Sequence, residues 1–400
     1  MSSICLYFQV HQPRRIRAYR HLDVGCQDYF SETGDLNTNN SKMMQKIAQK
    51  CYLPSNALFL DLLQKYPEFK LSFSFSGIFL EQLQDFPQVL QSFQKLVDTG
   101  RVEVLAETYY HSLAFLYSEA EFLRQVSLHQ QAVQKYFKFK PKSFRNTELI
   151  YNNEVGAVAD KLGYKAVLAE GADHVLGWKS PNFVYAPAGA GKVKLLLKNY
   201  KLSDDIAFRF SERSWNDYPL TVEKYVHWLE RALVDTDIVN LFMDYETFGE
   251  HQWEDSGIFE FIKSLPEEII KQNIDFVTPS EAVDKYPVRG NLDISDYVSW
   301  ADLERDLSAW IGNEMQQDAL SKIFEIEDQV LSSGDKKLIS DWRSLTTSDH
   351  FYYMCTKWFA DGDVHKYFNP YESPYDAFRY YMNVYTDIVR RLNGKKNSYR

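Results

Sequence analysis

Short apolar runs alternate with amphipathic stretches over the first 285 or so residues. The apolar runs cover residues 4–10, 71–76, 102–106, 143–146, 166–169, 193–197 and 238–243. Each is of strand length, and several are apolar at nearly every position, as suits parallel strands buried on both faces. A shorter run, Asp275-Phe276-Val277, is a candidate eighth strand. Helical periodicity separates many of these runs. Ser118-Glu119-Ala120-Glu121 reads as a capping box opening a helix to about Phe137. Thr278-Pro279-Ser280-Glu281 reads as another, with proline at the first helical position. Strand–helix alternation predicts a parallel sheet with crossover helices. Seven or eight units suggest a complete or incomplete barrel, with an open doubly wound sheet as the competitor. No glycine-rich phosphate loop supports the latter.

The pattern changes at Pro287-Val288-Arg289-Gly290, which reads as a turn. Residues 293–400 read as helices, broken near Ser332-Ser333-Gly334-Asp335 and Asn369-Pro370. The domains predicted are a barrel over 1–288 and a helical domain over 289–400.

Composition narrows the partners. A formal charge of −10 argues against nucleic acid and anionic membrane surfaces. No segment approaches the 18 apolar residues of a membrane span, and no signal peptide is apparent. Cys5, Cys26, Cys51 and Cys355 show no CxxC spacing, so they read as buried free thiols in a reducing cytoplasm. Aromatics reach 16% of the chain, which suits a large core and also the stacking of flat rings on sugars.

In strand–helix barrels the carboxyl ends of the strands carry the chemistry. Five polar segments are of interest. His11-Gln12-Pro13 follows the first run, and Glu107-Thr108-Tyr109-Tyr110-His111 follows the third. Arg145-Asn146-Thr147-Glu148 follows the fourth, with Arg145 placed to favour an ionised Glu148. Asp244-Tyr245-Glu246-Thr247-Phe248-Gly249-Glu250-His251 follows the seventh. On an extended backbone Asp244 and Glu246 share a side, and their repulsion would keep one protonated. The fifth, Ser348-Asp349-His350-Phe351, lies in the helical region. Asp205 and Arg209 are further cleft candidates, with a surface ion pair as the plainer reading.

These five segments, in this order, resemble the motif regions of glycoside hydrolase family 57, most closely its α-amylase-like members. The resemblance implies an incomplete seven-stranded barrel followed by a helical domain that closes the site. It implies Glu148 as nucleophile and Asp244 as acid/base of a retaining reaction on α-1,4-glucan or maltooligosaccharide. His11, His111 and Asp349 would hold sugar hydroxyls, Glu246 would tune Asp244, and Glu107, His251, Trp253 and His350 would line the site. No metal or other cofactor is required. Many members carry a proline just before the nucleophile and an aromatic three residues before it. This chain has Thr147 and Arg145 there, a subgroup difference bearing on substrate preference. Three alternatives stay open at this point, one of them a non-catalytic α-glucan-binding protein, against which the filled acid positions argue. A 4-α-glucanotransferase or branching enzyme would use the same intermediate with a sugar acceptor. A metal-dependent deacetylase or mannosidase would use His11, His111, His251 and Asp244 as ligands. Oligomeric state is not legible.

Overall fold

The structure is a computed structural model that describes residues 2–189, 191–357 and 364–398, with the backbone alone over 395–398. Ten strands are formed among these: β1 (Ser3–Val10), β2 (Leu71–Phe75), β3 (Val102–Val104), β4 (Ser143–Arg145), β5 (Ala166–Glu170), β6 (Val184–Pro187), β7 (Lys194–Lys198), β8 (Ile238–Asp244), β9 (Asp275–Phe276) and β10 (Val288–Leu292). They pair in two sheets, β3-β2-β1-β8 and β10-β6-β7-β5-β4, with β9 beside the start of β1.

Two seams join the sheets into a barrel of seven strands. At one, Ala106 bridges Phe144 in parallel, with Ala106 N–H on Ser143 O at 2.9 Å and Arg145 N–H on Ala106 O at 2.9 Å. At the other, Asn199 N–H donates to Asn240 O and the Asn240 side-chain amide donates to Leu197 O, each at 2.9 Å. This second seam has no regular ladder, and a buried asparagine supplies the bond a ladder would have made. The barrel strands are the seven apolar runs read from the sequence. β9 is the short eighth run, and it pairs with Ser3 and Ile4 of β1.

Two strands went unread. β6 is four residues long and ends in proline, and β10 begins at Val288 and takes in Val288-Arg289-Gly290 of the expected turn. Val288–Leu292 is largely exposed, so it lacks the apolar signature of its neighbours.

The strands alternate two buried faces. Cys5, Tyr7, Leu168, Leu196, Ile238 and Phe242 fill the inside. Phe8 packs outward against Phe59, Phe73, Tyr245 and Phe248 at centroid distances of 5.4–5.9 Å. Much of the aromatic surplus therefore lies in the layer between sheet and helices. The Thr278 box forms in full, with Glu281 accepting from Thr278 N–H at 3.0 Å. At Ser118 the hydroxyl caps Glu121 N–H at 3.2 Å, but the Glu121 carboxylate turns instead to Arg343 at 2.7 Å.

The chain divides into two compact units. One comprises Met1–His11, Lys46–Glu107 and Leu128–Trp300, and holds the barrel. The other comprises Gln12–Gln45, Thr108–Ser127 and Ala301–Arg400. Its helices, such as Glu314–Glu325 and Lys336–Ser344, bury Trp310, Trp342, Ile323 and Val384. The division is thus discontinuous, where the sequence suggested one cut after residue 288. Residues 293–300 belong to the barrel unit because Val298 and Tyr151 exchange both backbone bonds at 2.9 Å. All four cysteines are free, and Cys26 is exposed instead of buried. Among the described residues no helix is long and apolar enough to cross a membrane.

Candidate active site

The first, third and fourth motifs fall at one end of the barrel, because parallel strands finish together. Gln9 of β1 is in register with Ser74 of β2 and Asp244 of β8. Gln9 Oε1 accepts from the Tyr7 and Ser74 hydroxyls at 2.8 Å each, and its Nε2 donates to Glu107 Oε1 at 3.1 Å. Burial pushes the Tyr7 phenol up, so it stays a neutral donor beside these acids. Glu107 is fully buried. Its N–H donates to His129 Nδ1 at 3.3 Å, which leaves His129 Nε2 protonated toward Phe75 O at 2.8 Å. Burial lowers the His129 pKa, in keeping with that neutral ring. His11 lies just past β1 with Nδ1 2.7 Å from Ser76 Oγ.

Glu148 has an unusual backbone. It sits at φ 58°, ψ 27°, and Leu149 follows at φ 52°. A non-glycine residue in the left-handed region costs about 1–3 kcal/mol and persists only where its surroundings enforce it. Here Asn146 Nδ2 spans the turn to Ile150 O at 3.1 Å, and residues 298–300 pair with 148–151. The carboxylate meets Trp300, whose indole Nε1–H donates to Oε2 at 2.7 Å. Arg145, fully buried, places its guanidinium 4.8 Å from the centre of the Trp300 ring. Lys198, ending β7, places its ammonium 5.5 Å from the same centre, and pairs with Asp204 at 3.0 Å and Glu170 at 3.8 Å.

Asp244 ends β8 with an extended backbone, on the inward face two residues past Phe242. Glu246 does not share its side by strand alternation. Tyr245–Thr247 is a 3-10 turn, so the extended spacing assumed for the two acids stops at Asp244. Glu246 is buried and accepts a very short bond from the Tyr52 hydroxyl. Tyr52 belongs to a π-helical turn, Ala48–Tyr52, that also brings Cys51 Sγ to Tyr245 O at 3.4 Å. Such turns recur at functional sites.

His251 follows on this loop with its N–H on Glu246 O at 2.9 Å. Burial, aided by the Lys46 charge, takes its pKa down to about 4. Trp253 is 59% exposed, with the Lys50 ammonium 5.1 Å from its ring centre. Arg209 and Asp205 form an ion pair of 2.7 Å one helical turn apart, the plainer reading of the two.

The second and fifth motifs meet in the other unit. His111 O accepts from Ser348 N–H at 2.9 Å, the Thr347 hydroxyl donates to Tyr110 O at 2.9 Å, and Ser112 bridges Thr347. His111 is buried at φ 49°. Asp349 is half-buried and hydrogen-bonds the Tyr353 phenol, which burial pushes well up. His350 is buried, with Nε2 3.1 Å from Ser344 O and its ring against Phe30, Tyr353 and Tyr381. That is a core position.

The family model for glycosyl hydrolase family 57 matches residues 5–295. The chain belongs to that family. A Methanocaldococcus jannaschii member, provisionally named an α-amylase, is 42% identical over 399 residues, covering 96% of this chain and 84% of that protein. An α-amylase of Pyrococcus furiosus is 23% identical over 262 residues, which is 62% of this chain and 37% of that one. A family 57 branching enzyme from Thermococcus kodakaraensis shares the fold, with a TM-score of 0.72 at 14% identity over 97% of this chain and 90% of its own.

Several residues of this candidate site escaped sequence reasoning. Gln9, Glu170 and Lys198 each stand at the polar end of an apolar strand, a signal that was available. Tyr52 and Trp300 had none, since one depends on a π-turn and the other on a long-range pairing.

Proposed function

We propose that the protein is a retaining α-glucan hydrolase of the α-amylase type. The observation that carries this reading is the contrast among the acids. Glu148 and Asp244 stand at the carboxyl ends of β4 and β8 and are partly exposed, whereas Glu107 and Glu246 are buried and committed to Gln9 and Tyr52. A substrate reaches the first two. Glu148, ionised, attacks the anomeric carbon. Asp244 gives a proton to the departing glycosidic oxygen. Asp244 then takes a proton from water, which attacks the glycosyl-enzyme and releases sugar with its original configuration.

His11, anchored on Ser76, holds sugar hydroxyls, and His111 and Asp349 are proposed to do the same. Glu107 acts through its buried contact with Gln9, and half-buried His251 stands on the loop that carries Glu246. Glu246 orients the loop after Asp244 through Tyr52. Hydrolysis is favoured over transfer by the 42% identity to a protein carrying an α-amylase name. The four free thiols suit the cytoplasm.

The test is proton NMR of maltoheptaose with the pure protein, following the anomeric signals from the first minutes. New α-anomeric reducing ends, absent with Glu148→Gln, are expected. New linkages or longer chains without net reducing ends would replace hydrolysis with transfer. First-formed β-anomers would overturn retention.

A further inference from the structure

Arg145 and Trp300 are not explained by the chemistry above. Arg145 is fully buried, yet its Nε, Nη1 and Nη2 have no hydrogen-bond partner among the described residues. A buried guanidinium normally answers a carboxylate with a two-pronged bond. Glu148 lies only three residues away, and no such pair forms. The guanidinium faces the indole of Trp300 instead, and the Lys198 ammonium approaches the same ring. The indole N–H, in turn, is a donor to Glu148.

We infer that Trp300 is the positioning residue of the nucleophile, passing the charge of Arg145 and Lys198 to Glu148 through its ring in place of a direct ion pair. The inference rests on the reading of Glu148 as nucleophile. Three physical points support it. A cation over an indole face is attracted by the ring quadrupole. It also polarises the ring and makes the N–H a stronger donor, as in any chain of polarised contacts. A guanidinium fork would engage both carboxylate oxygens, whereas the indole has a single N–H and gives it to Oε2. Geometry adds a fourth point. The Trp300 backbone N–H also donates to Glu148 O at 3.3 Å, so one residue holds the strained backbone and the carboxylate together. An acidic ligand in place of the indole is disfavoured here, because Glu107, Glu148, Glu170 and Asp244 already crowd this end of the barrel.

The deciding variant is Trp300→Phe, which keeps a ring and deletes the donor. With maltoheptaose, kcat should fall about ten- to a hundredfold, the range for losing a bond to a charged group, while KM stays within about twofold. The acidic limb of the kcat/KM profile should move up by about one pH unit, because the ionised carboxylate has lost its donor. Arg145→Met, which withdraws the charge and keeps a long side chain, should move the limb the same way. A purely structural role would lower the melting temperature of both variants and leave the limb in place, overturning the inference.

The nucleophile reading is checked separately. Glu148→Ala is mixed with azide and α-maltosyl fluoride. Azide attacks the anomeric carbon as the C–F bond breaks and fluoride leaves with the electron pair. A β-glycosyl azide supports Glu148 as nucleophile. With that product in hand, an unmoved limb in Trp300→Phe refutes the positioning role alone. Without it, the nucleophile reading falls and takes this inference with it.

Discussion

Gly249→Ala tests whether the loop behind Asp244 is as tightly seated as its contacts imply. Gly249 has φ +106°, and a Cβ there would lie 2.0 Å from Lys50 O, 2.9 Å from Lys50 C and 3.2 Å from Phe259 Cζ. Ordinary van der Waals contact begins near 3.4 Å, so the overlap with the Lys50 carbonyl exceeds an ångström. That carbonyl is backbone of the π-turn carrying Tyr52, and it cannot swing aside as a side-chain tip would. The left-handed backbone costs alanine about 1–2 kcal/mol. Forcing extra volume into packed backbone costs about 1–3 kcal/mol more. The sum is about 2–5 kcal/mol, with the upper half favoured by the contact being backbone. Gly257→Ala is the internal control. Its φ is +84°, and among the described residues nothing lies within 4 Å of the position the alanine methyl would take. It should cost only the backbone share, about 1–2 kcal/mol. Urea unfolding followed by circular dichroism compares the two. Equal losses would refute the crowding argument. Activity supplies a second readout, since Gly249→Ala should also displace Glu246 from Tyr52 and lower kcat, whereas Gly257→Ala should not.

Three further outcomes are expected. Arg343→Met leaves the fully buried Glu121 without its closest partner, at 2.7 Å, and should destabilise by about 3–5 kcal/mol in urea unfolding; a loss under about 1 kcal/mol would mean Arg124 and Gln125 suffice. Burial opposes charge on His365, but Asp302 at 2.8 Å and the Cys355 thiol outweigh it and raise the pKa to about 9. This stabilisation is fully present below the free-histidine pKa near 6.5 and fades as pH rises toward 9. The gap in urea midpoint between wild type and His365→Gln should therefore narrow between pH 6.5 and 9.5, and a constant gap would refute the pairing. Tyr52→Phe strips the buried Glu246 of a phenol donor and should cost about 1–3 kcal/mol in stability; no change would show that the bond carries no weight.

What the sequence disclosed and what it hid follow from one distinction, whether a residue's role depends on local or distant chain. The seven barrel strands were legible because burial on both faces leaves a dense apolar run. The ends of those strands were legible too, because each apolar run stops at polar and charged residues, Glu148 and Asp244 among them. The relation between Asp244 and Glu246 was not, because a 3-10 turn replaced the extended backbone on which the argument for a paired site depended. The compact units differ from the division read from the sequence for a related reason. Residues 288–300 are polar and short of periodicity, so nothing local ties them to the barrel. Their attachment comes from Val298 pairing with Tyr151, 147 positions away (298 − 151), and from Trp300 reaching Glu148. Arg145 joins the two cases. Its charge beside Glu148 suggested direct stabilisation of an ionised acid. The structure keeps the charge nearby but interposes an indole drawn from the far end of the barrel unit. Sequence proximity pointed to the cation, the proposed route runs through the indole instead of directly, and Trp300→Phe separates the two.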